Sequence, residues 1–253
     1  MTRNLLLSLL LALVAIPLSA QDLTGTKNAD KAIILFLGYG PISSAGDLTE
    51  RFGNGFSIDG GLTLMSRGSS LEFGFRAQFG FGTDVKQDIL ANLRTTEGFL
   101  IGNQREPADI NLRQRQLFLG PTVGYTFKIG KNERAVLHVK TTVGYYYHRI
   151  KIQRDVVQGV SQLNEEYLPG YDRLAGGLGI HQFVGYQQLA ANGTLNFYVG
   201  AEVLAGFTKN LRIFDIPTGL PPSTEGRLDM VLGLKAGIIL PFYVGEGRQI
   251  FYK

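Results

Sequence analysis

Residues Leu71–Gly82 read LEFGFRAQFGFG. Leu71, Phe73, Phe75, Ala77, Phe79 and Phe81 alternate with Glu72, Gly74, Arg76, Gln78 and Gly80. Successive side chains of a strand point to opposite faces, so the stretch predicts a strand with one apolar and one polar face. Four phenylalanines on one face and charge with glycine on the other is an odd choice for a water-soluble sheet. Two folds compete for it. A membrane barrel turns the phenylalanines out to lipid, whereas a lipocalin-like barrel or a sandwich turns them in.

The same alternation predicts strands over residues 32–40, 55–65, 71–82, 116–129, 135–150, 173–188, 194–208 and 228–242. Most match the roughly 9–11 residues that a tilted strand needs to cross a bilayer. Short connections at 66–70, 130–134 and 190–193 alternate with long ones at 41–54, 83–115, 151–172 and 209–227. The third short one carries the hairpin dipeptide Asn192-Gly193. Short turns at one end and long loops at the other are the wiring of an outer-membrane barrel.

Face assignment follows from the company the glycines keep. Leu195, Phe197, Val199, Ala201, Val203 and Phe207 oppose Asn196, Tyr198, Gly200, Glu202, Gly206 and Thr208. In the last strand Met230, Leu232, Leu234, Ala236 and Ile238 oppose Asp229, Gly233, Lys235 and Gly237. A small barrel has a cramped interior, so the glycine and charge face is expected inside and the phenylalanines against lipid. Aromatic girdles support this orientation. Tyr39, Phe56, Phe81, Tyr145, Tyr147 and Phe207 fall at the loop end, and Tyr125, Phe127, Tyr186, Phe197, Phe242 and Tyr243 at the turn end. The expected fold is all-β: a closed antiparallel eight-stranded transmembrane β-barrel with long extracellular loops and short periplasmic turns.

Composition agrees. The chain has 253 residues, 33 glycines, 44% hydrophobic residues, no cysteine and a net charge of +4. That length suits one all-β domain. The basic excess is scattered, which excludes a nucleic-acid partner, and the lack of cysteine excludes disulfides, thiolate metal sites and a cysteine nucleophile. Residues 1–20, with Arg3, an apolar run from Leu5 to Ile16 and Leu18-Ser19-Ala20, read as a signal peptide rather than a membrane anchor. The barrel domain is then 21–253, in the outer membrane of a Gram-negative bacterium.

The inward row supplies a charge network: Asp59, Glu72, Arg76, Lys140, His181, Glu202, Asp229 and Lys235. Asp59 and Arg76 are expected nearly opposite one another, and Glu202 near Lys235 with His181 across from it. An eight-stranded interior is about wide enough for side chains to fill, which favours a salt-bridged plug over a gated proton or ion path. His138, His148 and His181 lack metal-ligand spacing, and no cofactor or metal is expected. Two stretches mark the outer rim, GDLTERFG with Asp47 and Arg51, and GYDRL with Tyr171, Asp172 and Arg173. Their acids and arginines either pin the loops or contact a partner or lipopolysaccharide phosphates; pinning is the preferred reading.

GDLTERFG, PGYDRL at 169–174, NFYVGAE at 196–202 and the closing GIILPFY resemble the small outer-membrane barrels of Bacteroidota over nearly the whole mature chain. The segment KAGIILPF also resembles the terminal-strand signal read by the barrel-assembly machinery, although residues continue to Phe251-Tyr252-Lys253. The resemblance implies fold and location and brings no activity. Two classes of function stay open. One is a non-enzymatic envelope protein acting through its loops or as an accessory subunit, with the outer-membrane lipid, lipopolysaccharide and other envelope proteins as partners. Loop 83–115, with its apolar segment Gly98-Phe99-Leu100-Ile101-Gly102, suits docking. The other is a lipid-modifying enzyme, an acyl hydrolase or acyltransferase, which needs a nucleophile, base and acid at the lipid-facing rim. His148 is the best base for it, and no serine stands beside it in the pattern. A general porin fails on width.

Overall fold

The alternating stretches all form strands, which we number β1 Lys31–Gly46, β2 Asn54–Ser66, β3 Leu71–Gly82, β4 Ile110–Lys128, β5 Ala135–Arg154, β6 Ala175–Gln188, β7 Phe197–Asn210 and β8 Arg227–Val244. In the computed structural model each pairs antiparallel with its neighbours in sequence. β8 returns to pair with β1, from Lys31 opposite Val244 to Gly46 opposite Asp229, and closes the ring. Closure satisfies both ladders of every strand and leaves no free edge. Residues 31–66, 69–129, 135–154, 159–189 and 196–244 are described. The expected signal segment, Leu195, the Asn192-Gly193 turn and the C-terminal Phe251-Tyr252-Lys253 lie outside them, as does the side chain of Tyr243.

Several strands overrun their expected ends on the loop side, while β3 ends as expected and β6 starts two residues late. β1 continues to Gly46, β4 begins at Ile110 and β5 runs to Arg154, so the connections shrink to 47–53 (L1), 83–109 (L2), 155–174 (L3) and 211–226 (L4). The apolar alternation stops where the lipid-facing belt stops, but the ladder needs only backbone groups and continues beyond it. Arg113 opposite Lys151 and Arg115 opposite Arg149 are strand pairs within what the apolar pattern assigns to loops or loop edges.

Side-chain orientation follows the glycine argument. Leu71, Phe73, Phe75 and Phe79 are exposed on the outer wall, while Glu72, Arg76 and Gln78 are buried within. From Leu71 to Phe81 the outer row takes ten steps (81 − 71). At about 3.3 Å per residue and a tilt of about 40° that row rises about 25 Å, the height of a lipid-facing band. Rings gather at its two margins. Tyr39 stacks on Phe56 at 5.5 Å and Tyr145 leans on Tyr147 at 6.3 Å toward the loops; Tyr125 meets Phe127 at 4.7 Å toward the turns. One polar pair within the belt, Thr141 and Gln182, satisfies itself by a 2.7 Å hydrogen bond across β5 and β6.

Glycine makes the inner wall thin where long side chains lie across it. A Cβ on Gly206 would stand 2.4 Å from the Tyr146 ring, and one on Gly233 would stand 2.9 Å from Glu202 Oε1. The inner row is not wholly polar. Ile34, Phe183, Tyr198 and Ile239, with Phe36 against them, form an apolar layer at the turn end, and Phe118 and Tyr146 one toward the loops.

Candidate functional site

The lumen holds three tiers of charge. In the central tier Arg76 Nη1 lies 2.7 Å from Asp59 and 3.8 Å from Glu202, and Lys235 Nζ lies 3.7 Å from Asp59 and 3.5 Å from Glu202. His181 Nε2 sits 3.1 Å from Glu202, Gln78 donates to Glu202 at 2.7 Å, and Lys235 donates to the Ser57 carbonyl at 3.1 Å and to its hydroxyl. The contacts are diagonal. Arg76 is registered against Gly61, and Asp59 against Gln78, two residues along the same face. Glu202 faces Gly233 and Lys235 faces Gly200 in the same offset manner. Glu202 lies over Gly233 on the way to its partners, while the Phe36 ring covers Gly61 and the Phe183 ring covers Gly200. The Arg76 guanidinium is also held between the rings of Phe36 at 5.1 Å and Phe183 at 5.5 Å.

Below this, Glu72 meets Lys140 at 3.1 Å and His138 at 3.6 Å. Above it, Asp229 meets His148 at 2.7 Å and Arg227 at 3.3 Å and accepts the Thr208 hydroxyl. Two carboxylates face two fixed cations in the central tier, which is what burial without water demands. A lumen cavity between Phe36, Arg76, His138 and Phe183 measures about 10 Å³, room for at most one water. This packing is a plug.

The loops seal the mouth with an apolar core. Leu48 and Phe52 of L1 are fully buried, Phe52 with its ring edge-on to His148 at 5.7 Å. Ile89, Leu90 and Leu100 of L2 and Val160 and Leu163 of L3 join them. Leu100 is thereby removed from the apolar segment expected to be exposed, leaving Phe99 and Ile101 outside. Leu100–Ile101 pairs with Pro107–Ala108 in a small ladder, which turns alternate residues inward.

The rim arginines and acids hold this cap down. Arg51 donates to the carbonyl of Arg173 and to Asn210, both at 2.8 Å. Burial, aided by Arg227, pushes the Arg51 guanidinium down to about 10. Asp172 is gripped by Arg212 through two hydrogen bonds of 2.8 and 2.5 Å, and that contact raises the Arg212 pKa. Arg173, at φ 47°, reaches Asp215 at 3.1 Å. Asp47 takes the Leu228 N–H at 2.7 Å, and its own carbonyl takes Arg227 at 2.5 Å. Of the five rim residues, Arg51, Tyr171 and Asp172 are buried. The charged groups of Arg51 and Asp172 are consumed in pinning loops whose backbone would otherwise lack partners.

His148, the base of the enzyme reading, is buried in the lumen against Asp229, Phe52 and Tyr146, not at the lipid-facing rim. Its position in the inner row, two residues from Tyr146, carries it there. Among the described residues no three His, Asp or Glu side chains gather to hold a metal ion. The pattern reading put Tyr198 on the inner face but overlooked the inward rings of Phe36, Phe118, Tyr146 and Phe183. Their shared parity with inward glycines and charges is the signal that finds them.

No protein-family model and no curated protein matches the chain. Solved structures similar to it include the attachment invasion locus protein Ail of Yersinia pestis, in complex with the heparin analogue sucrose octasulfate, at 12% identity and a TM-score of 0.37 over 83% of this chain and 99% of that one. The outer membrane protein OprG of Pseudomonas aeruginosa is similar at 10% identity and a TM-score of 0.36, covering 85% and 98%. The N-terminal β-barrel domain of Pseudomonas aeruginosa OprF is similar at 11% identity and 0.34, covering 85% and 100%. At these scores the fold rests on the closed ladder itself.

Proposed function

We propose that this chain is a non-enzymatic outer-membrane barrel of a Gram-negative bacterium, of the Bacteroidota kind that its motifs resemble, exported by a cleaved signal peptide. It works in the cell envelope through its extracellular loop face, alone or as an accessory subunit of a larger complex. The observation that carries this reading is the pairing of an apolar outer belt with a filled interior. A row of exposed leucine, phenylalanine and valine about 25 Å tall is unfavourable in water and matched to lipid. Among the described residues no helix is long and apolar enough to cross a membrane, so the strands are the candidate spans. A plugged and capped lumen leaves no solute path, which directs recognition to the outer surfaces.

Fractionation tests it. The protein is expected with the outer membrane, migrating differently on gels before and after boiling because a closed barrel unravels only on heating. Reconstituted in planar bilayers, it is expected to show no porin-like conductance. Recovery from the soluble periplasm would sink the orientation, and stable open channels would sink the plug.

A further inference from the structure

On the outer wall of the β4–β5 hairpin the apolar row ends within one pair. Leu119 faces Tyr145 and Leu117 faces Tyr147; the next outward pairs toward the loops are Arg115 opposite Arg149 and Arg113 opposite Lys151. Directly opposed side chains in a sheet start about 5 Å apart, and like charges there repel. The ladder thus stacks two repulsive pairs at the upper margin of the belt.

Little within the chain neutralises them. Arg113 donates to Gln153 at 3.1 Å, and Arg115 donates to the Gln114 carbonyl at 2.7 Å while lying 5.9 Å from the Phe79 ring centre. Arg149 has Asp172 at 3.8 Å, but Arg212 already holds that carboxylate by two shorter hydrogen bonds. Among the described residues, no carboxylate forms an ion pair with Arg113, Arg115 or Lys151 within 4.0 Å. The lumen pairs its buried cations with acids; this wall leaves Arg113, Arg115 and Lys151 without one and Arg149 with a share in Asp172.

We propose that this face of β4 and β5 binds the phosphates of an anionic glycolipid in the outer leaflet. It rests on the reading of the barrel as an outer-membrane protein with its loops outside. Guanidinium forks match phosphate oxygens two at a time, so Arg115 and Arg149 flank one phosphate, and Arg113 with Lys151 flanks a second further from the bilayer. Tyr145 and Tyr147, directly below, lie at the depth where headgroup meets acyl chain. Leu119 and Val143 continue the surface on which the chains rest. A bound phosphate turns each repulsive pair into a clamp. An acidic protein would have to reach to the membrane surface to do the same, where lipid headgroups already stand.

The full mature barrel is refolded into phosphatidylcholine nanodiscs containing a minor share of bisphosphorylated lipid A, and lipid retained on the protein after detergent exchange is counted by mass spectrometry. Wild type is expected to enrich lipid A at least about tenfold over its share in the disc. Combined Arg113→Gln, Arg115→Gln, Arg149→Gln and Lys151→Gln should abolish the enrichment while inserting as well as wild type, since it removes repulsion. Lys86→Gln with Arg105→Gln lowers net charge on the exposed loops and should leave enrichment intact. Insertion without enrichment, enrichment surviving the fourfold change, or loss in the loop control overturns the site and leaves the membrane reading standing. Failure of wild type to enter the discs overturns both.

Discussion

Arg76→Leu removes the cation nearest the centre of the lumen. Arg76 is 1% exposed and Asp59 0%, and they meet at 2.7 Å. The central tier balances Arg76 and Lys235 against Asp59 and Glu202, so the substitution leaves one negative charge uncompensated where water cannot enter. Stranding such a charge costs about 3–5 kcal/mol. Leucine recovers part of the contact with Phe36 and Phe183 but none of the electrostatics. Asp59→Asn with Arg76→Gln keeps the tier neutral, because Lys235 still faces Glu202 at 3.5 Å, and should cost only about 1–2 kcal/mol. The double change is then at least about 1 kcal/mol milder than Arg76→Leu alone. Urea unfolding in lipid vesicles reads the difference, followed by far-UV circular dichroism since the chain has no tryptophan. The midpoint should fall with an unchanged denaturant slope. If Arg76→Leu stays within about 0.5 kcal/mol of wild type, the residue is not buried against Asp59 and the plug is wrong.

Depth on the outer wall gives a second expectation. Phe75→Arg, at the middle of the belt, should destabilise the vesicle-inserted barrel by about 2–4 kcal/mol, and Phe207→Arg at the margin, where it faces only Leu178 and Leu228, by about 0–1 kcal/mol. Equal costs would contradict the placement of the belt. Gly206→Val should cost about 1–3 kcal/mol by driving a side chain into the Tyr146 ring, and Gly206→Val with Tyr146→Ala should recover part of it in the same assay. Replacing residues 86–108 of L2 by a tight turn should preserve insertion and heat-modifiable migration. It should also make L3 protease-sensitive, because Val160 and Leu163 lose Ile89, Leu90 and Leu100. Unchanged protection of L3 would show that the loops do not share a core.

The parity of glycine and phenylalanine made the ring, its strand count and its orientation legible, because a narrow lumen and a lipid exterior impose opposite demands on alternate residues. Asp59, Arg76, Glu202, Lys235 and His181 could be placed on one face for the same reason. Their diagonal pairing could not, since it depends on which way each long side chain leans along the shared face, which alternation alone leaves open. The start of β4 above the belt was illegible because Arg113, Gln114 and Arg115 are polar on both faces, so nothing alternates. The cap was illegible for a different reason. Leu48 and Phe52 are single apolar residues in a polar loop, and only the proximity of L2 and L3 turns them into a core.

The lumen charges and the basic wall of β4 and β5 obey different electrostatics, and salt separates them. Buried pairs are shielded from counterions, whereas exposed cations see a Debye length that falls from about 10 Å at 0.1 M salt to about 3 Å at 1 M. Raising salt should therefore strip lipid A enrichment from the Arg113, Arg115, Arg149 and Lys151 face. In phosphatidylcholine alone it should remove the cost of those like-charge pairs, so the fourfold glutamine variant loses its stability advantage over wild type. The penalty of Arg76→Leu should stay the same across that range, because no ion reaches Asp59 to replace the lost guanidinium. A penalty that shrinks with salt would mean that counterions reach the central tier through the cap or the turn end. The lumen would then be a wet, ion-accessible path, and the loops would be a gate over it.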